Sequence, residues 1–280
     1  MFFKYMRASL LLLFFSVIFF SSCSEYQKVL TGDDIGNKYA MADSLYRKGK
    51  YKKALRLMEQ IVPAYRGKPQ AERLMYLYAN TFYELGDNYL AGYQFERFAD
   101  TYPQSDSVEV AAYRSAKSYA KLSNRYSLDQ KETYTALEKL QGYINKYPNS
   151  DYREEANASV AELRLKLDRK SYETANQYLR IEDYKVAIEA FENFIVDNPG
   201  SKFRSQAFLG RLEAGYRLAI NSFPALVKLR LLKAKEYYNS FNKYYKDSEF
   251  SPRANEILED INKRLAAYPT ETETETETTP

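Results

Sequence analysis

The chain has 280 residues, with 41 lysines and arginines against 37 aspartates and glutamates, no histidine, no tryptophan and one cysteine. That inventory excludes Ser-His-Asp and Cys-His catalysis, His-bearing metal clusters and any disulfide within the chain. With 28 Tyr and 16 Phe against 9 Pro and 10 Gly it can bury a large aromatic core, and its near-balanced charge lacks the basic excess of a dedicated nucleic-acid binder.

Lys4 and Arg7 precede an apolar run from Ala8 to Phe20, and Ser21, Ser22 and Cys23 come next. A basic start, a short apolar stretch and small residues before a cut are the parts of a secretory signal, and this run falls short of the roughly 20 residues needed to span a bilayer. The segment Phe20-Ser21-Ser22-Cys23 resembles a bacterial lipobox, with Phe20 standing where that motif has Leu. Residues 1–22 are thus expected to be a lipoprotein signal peptide. Cys23 is expected to carry diacylglycerol and an N-acyl chain, with no other cofactor and no metal. By lipoprotein sorting rules, Ser24 in place of Asp points to the outer membrane. Residues 23–38, with Gly32, Asp33, Asp34 and Gly36, read as a lipidated tether.

A repeat organises the rest of the chain. Tyr102-Pro103-Gln104-Ser105, Tyr147-Pro148-Asn149-Ser150 and Asn198-Pro199-Gly200-Ser201 end alike, and Tyr245-Lys246-Asp247-Ser248 keeps everything but the proline. Ala91, Ala136, Ala187 and Ala234 each stand a fixed distance before these exits, and Ala54 opens the series. Such a period signals stacked supersecondary units, each predicted to be two helices that cross at the small alanine. Gly49 and Gly86 fall where a helix ends in a left-handed residue, and each exit proline halts the second helix. Asp106 with Glu109 and Asp151 with Glu154 read as capping boxes. An insertion around Asn124–Glu132 interrupts repeat three, a long helical stretch Arg153–Lys170 opens repeat four, and Ser251-Pro252 starts a final helix reaching about Leu265. From Pro269 to Pro280 alternating Thr and Glu offer nothing to bury, and a disordered tail is expected.

These residues resemble the tetratricopeptide (TPR) repeat. Repeat two carries its pattern as Ala79, Phe82, Gly86, Ala91, Phe95 and Pro103, and repeat four as Ala175, Tyr178, Ala187, Phe191 and Pro199. The expected fold is all-α, a superhelical array of about five TPR-like helix pairs plus a C-terminal capping helix. Repeats 1–3 occupy residues 39–147, and the linking helix with repeats 4–5 occupies 148–268. No catalytic residue is expected: pairs such as Glu154-Glu155 read as solvated helix charges, and phosphate-binding glycine loops are absent.

A lipobox leading directly into five TPR-like units resembles the BamD family of outer-membrane β-barrel assembly lipoproteins. The middle run Ala161-Glu162-Leu163-Arg164 to Lys170-Ser171-Tyr172-Glu173 is similar to that family's linking helix. The resemblance implies a non-catalytic scaffold, lipid-anchored in the outer membrane and facing the periplasm, that helps insert unfolded β-barrel proteins. Its C-terminal repeats would dock on a POTRA domain of a BamA-type insertase, and its N-terminal repeats would receive unfolded outer-membrane proteins. Other assembly lipoproteins are further partners it implies; nucleic acid is not. Aromatic density in the first two repeats marks Tyr76, Tyr83, Tyr89 and Tyr93 as the candidate substrate-facing residues. The alternative is a pilotin-type TPR lipoprotein escorting a secretin or pilus channel.

Overall fold

The computed structural model describes residues 24–268. The signal peptide, the acylated Cys23 and the Thr/Glu tail expected from the sequence lie outside the described residues. Within them the chain forms twelve α-helices and a short 3₁₀ turn at Pro63–Tyr65, with no strand. None of these helices is long and apolar enough to cross a membrane.

The chain divides into two compact units. The first contains α1 (Ser24–Thr31), α2 (Ile35–Arg47), α3 (Tyr51–Ile61), α4 (Ala71–Leu85), α5 (Asn88–Thr101), α6 (Val108–Lys121), α7 (Lys131–Lys146) and the start of α8 (Arg153–Arg180). Consecutive helices pack side by side as the pairs α2/α3, α4/α5 and α6/α7. The second unit contains the rest of α8, α9 (Tyr184–Asp197), α10 (Arg204–Ile220), α11 (Pro224–Tyr245) and α12 (Ser251–Leu265), together with residues 125–128. There α8 packs on α9 through Tyr172, Ala175 and Leu179 against Phe191 and Phe194, α10 and α11 form the next pair, and α12 closes against α10 and α11. The all-α array of about five helix pairs with a closing helix is therefore present.

The alanine series explains the pairing. Ala54, Ala91, Ala136, Ala187 and Ala234 are all fully buried. With only a methyl group at each crossing, the neighbouring helix approaches closely and large side chains interlock on either side. Leu57, Met58 and Ile61 do so in the first pair, Phe95 and Phe98 in the second, Leu140 and Tyr143 in the third. Phe191, Phe194 and Phe241 are the corresponding residues of the second unit.

Two of the turns close on their glycines as expected. Gly49 and Gly86 sit at φ +67° and +77°, the left-handed region, where a Cβ is costly. In the α8–α9 turn the same conformation is held by Glu182, at φ 63°. The exits use their serines: Ser105, Ser150 and Ser201 Oγ each accept from the backbone N–H two residues on, at 3.1, 3.1 and 3.2 Å. These hydroxyls, rather than the predicted Asp106 and Asp151 carboxylates, lead the chain into the next helix. A hydroxyl two residues back reaches the amide without needing the extended cap backbone that a capping box requires.

Two segments differ from their sequence reading. Within residues 23–38, Ser24–Thr31 is the helix α1, and α2 begins at Ile35, capped by Asp34 Oδ1 accepting from Gly36 and Asn37 N–H. The reason is burial, since Tyr26, Val29, Leu30 and Ile35 all cover the first core cluster. The stretch expected to open repeat four is the first part of a single 28-residue helix, α8, which runs on to supply that repeat's own first helix. Ala156, Val160 and Leu163 of α8 pack in the first unit, and Ala175 and Leu179 in the second.

Candidate interaction surface

Helices α4 and α5 carry the four candidate tyrosines, and the structure separates them into two kinds. Tyr76 and Tyr83 stand two turns apart on α4 and both meet α5 edge-on. Tyr76 lies 5.9 Å from Phe95 and 5.4 Å from Phe98, and Tyr83 lies 6.2 Å from Phe95. They are half-buried lids on the core of the second pair. Tyr89 and Tyr93, one turn apart on α5, are 64% and 47% exposed. Arg97 lies 5.7 Å from the Tyr93 ring. The structure thus brings the candidates together as two pairs, of which only the α5 pair is open to solvent.

Around Tyr83 the first helices of the three pairs build a face that aromatic density does not reveal. Asn80 on α4, only 4% exposed, donates through Nδ2 to the Tyr46 hydroxyl on α2, and its Oδ1 accepts from Arg114 Nη1 on α6. A buried amide with both ends satisfied links three successive pairs, and an unmet polar group there would be costly. Arg114 lies 5.4 Å and Lys121 4.6 Å from the Tyr83 ring centroid, within cation–π range. Lys117, between them on α6, is paired with Glu155 of α8. Mutual hydrogen bonding lowers the Glu155 pKa and raises that of Lys117. Tyr113 stacks on Tyr152 at 4.4 Å and 10°; burial, then the neighbouring Glu155, pushes its hydroxyl up to about 12. Arg114, Lys117 and Lys121 stand at i, i+3 and i+7 on α6, so the stripe was available from helical spacing. What spacing withholds is that Asn80 and Tyr83 of the preceding pair lie beneath it.

Chemically this face offers the Tyr83 π surface beside the Arg114 and Lys121 cations. Such a face suits extended polypeptide rich in aromatic side chains and carboxylates. Among the described residues no group of three or more Asp, Glu, Cys or His is disposed to hold a metal ion.

In the second unit, residues 125–128 of the predicted insertion are seated on α8. Lys170 Nζ donates to the Leu128 carbonyl at 2.8 Å, and Arg169 lies 4.1 Å over the Tyr126 ring. Farther along, Phe223 (82% exposed) just before α11 and Leu226, Leu229 and Leu232 on its first turns are uncovered apolar side chains.

The chain is similar to "Outer membrane protein assembly factor BamD" of Rickettsia prowazekii (strain Madrid E), with 27% identity over 179 residues, which covers 62% of this chain and 69% of that protein. The family described as "YfiO: Outer membrane lipoprotein" matches residues 33–228, a span that takes in all four candidate tyrosines, the Tyr46–Asn80–Arg114 link and the Lys117–Glu155 pair. With well over half of its length matched, the chain belongs to the YfiO outer membrane lipoprotein family.

Proposed function

We propose that this protein is a non-catalytic scaffold of outer-membrane protein assembly. It is anchored through acylated Cys23 to the periplasmic side of the outer membrane and assists insertion of unfolded β-barrel proteins. Membership of the YfiO family carries this reading, and the name of the Rickettsia relative agrees with it. The basic–apolar–Ser-Ser-Cys start supports the anchor. In this reading the first unit receives the unfolded chain on Tyr89 and Tyr93 and on the face of Tyr83, Arg114 and Lys121. The exposed Phe223, Leu226, Leu229 and Leu232 at the start of α11 suit docking of a POTRA domain of a BamA-type insertase, because unpartnered apolar area of this kind marks protein contacts. Other assembly lipoproteins would join the same complex.

The test is photo-crosslinking in intact cells from a probe at position 89, with identification of the adducts. Adducts with unfolded outer-membrane proteins are expected. Their yield from a probe at position 93 should fall several-fold on Tyr89→Ala, with circular dichroism unchanged because Tyr89 is an exposed side chain. Unchanged yield would remove Tyr89 from substrate contact, and the absence of such adducts from both probes would remove this face of the first unit. Co-purification of a secretin ring instead of a POTRA-bearing barrel would move the protein to the pilotin class.

A further inference from the structure

Helix α1 begins at Ser24, one peptide unit from Cys23, and consecutive Cα atoms are about 3.8 Å apart. Its first turn is fixed in place. The Tyr26 hydroxyl donates to the Lys53 carbonyl oxygen at 3.3 Å, and Lys53 Nζ lies 5.1 Å from the Tyr26 ring centroid. The start of α1 therefore sits on the start of α3, beside the α2–α3 turn. That turn reads Lys48-Gly49-Lys50-Tyr51-Lys52-Lys53, and all four lysines are exposed. Among the described residues no carboxylate forms an ion pair with any of them. Glu25, in the first turn of α1, offsets one of these charges at most. Gly49, Lys50, Tyr51, Lys52, Lys53 and Leu85 line an open groove of about 490 Å³.

We propose that the Lys48–Lys53 turn is a headgroup-binding surface for anionic phospholipid, placed so that it and the acyl chains on Cys23 engage the same membrane. The proposal rests on acylation of Cys23 as the anchor. Charge complementarity selects the occupant: four lysines with no carboxylate partner meet a phosphate-rich surface at the point where the acyl chains must enter it. Interfacial attraction falls off within a Debye length, about 10 Å at 0.1 M salt. A basic turn at the far end of a long tether would gain little, whereas one beside the attachment point lies inside that range. Each lysine at an anionic surface contributes a factor of about five in partitioning. The consequence is orientation, with the first unit seated on the membrane by the edge that carries its α2–α3 turn.

The experiment uses the purified acylated chain in liposomes of phosphatidylcholine alone, or of phosphatidylcholine with about a third phosphatidylglycerol. Lysine acetylation rates are read by mass spectrometry, and flotation with the liposomes and the intact mass of the Cys23 peptide are recorded together. Expected is several-fold slower acetylation of Lys28, Lys48, Lys50, Lys52 and Lys53 on the anionic liposomes, reversed by high salt, with Lys68, beyond the opposite end of α3, unaffected. The K48Q/K50Q/K52Q/K53Q variant should still float but show no difference between the two liposomes at Lys28. Equal rates on both liposomes, with the protein afloat and acylated, would overturn the surface and leave the anchor standing. An unmodified Cys23 peptide with no flotation would refute the anchor first, and the surface with it.

Discussion

Gly210, in the interior of α10, makes the sharpest demand on the packing. A Cβ there would lie 2.4 Å from Phe191 Cζ and 2.8 Å from both Cε atoms, whereas carbon atoms rest about 3.5–4.0 Å apart. The ring would have to retreat by about 1 Å. Phe191 is fully buried beside Phe194, with Tyr172 at 6.1 Å, so the room must come from the core itself. Overfilling of this kind costs about 1–3 kcal/mol, against a gain of about 1 kcal/mol when alanine replaces glycine inside a helix. Gly210→Ala is therefore expected to destabilise the protein by up to about 2 kcal/mol. Gly142 supplies the control, since it is exposed within α7 and an added Cβ meets nothing within 4 Å. The same substitution there should stabilise by about 0.5–1 kcal/mol. The assay is urea unfolding of both variants monitored by far-UV circular dichroism. A Gly210→Ala midpoint at or above that of the unsubstituted protein would refute the account of close approach between α9 and α10.

Two further predictions concern strain and charge. Glu182 holds the left-handed conformation that glycine holds at Gly49 and Gly86, so Glu182→Gly should raise stability by about 0.5–1 kcal/mol; a fall in the unfolding midpoint would count against strain at this turn. Asp260 accepts hydrogen bonds from the Tyr216 hydroxyl at 2.6 Å and from Arg264, and these hold its pKa below the ordinary 3.8. A carboxylate with a depressed folded value stabilises above the unfolded pKa and loses that contribution as pH falls through the folded value. Asp260→Asn should therefore lower the urea midpoint at neutral pH, with the difference shrinking as pH drops below about 4; a gap that persists at pH 2 would exclude this linkage.

Much of the fold was legible because its signals are local. An alanine at each helix crossing, glycine at two of the positive-φ turns and proline at three of the four exits act within a turn or two of themselves, and all five crossing alanines are fully buried. The insertion in repeat three was legible as a break in the period. The closing helix appears over Ser251–Leu265, as the Ser-Pro start suggested. The candidate face was legible only in part. Tyr89 and Tyr93 are exposed, whereas Tyr76 and Tyr83 sit against Phe95, because aromatic density alone does not say which ring a neighbouring helix covers. Residues distant in sequence were joined only by tertiary packing. It placed Tyr46, Asn80 and Arg114 in one hydrogen-bonded line and set Gly210 under the Phe191 ring. It also folded the expected tether into α1, seating Tyr26 beside the Lys48–Lys53 turn. Periodicity determines which face of a helix is apolar; which polar side chains meet across helices depends on how far each pair closes, and that is set by the small residues at every crossing together.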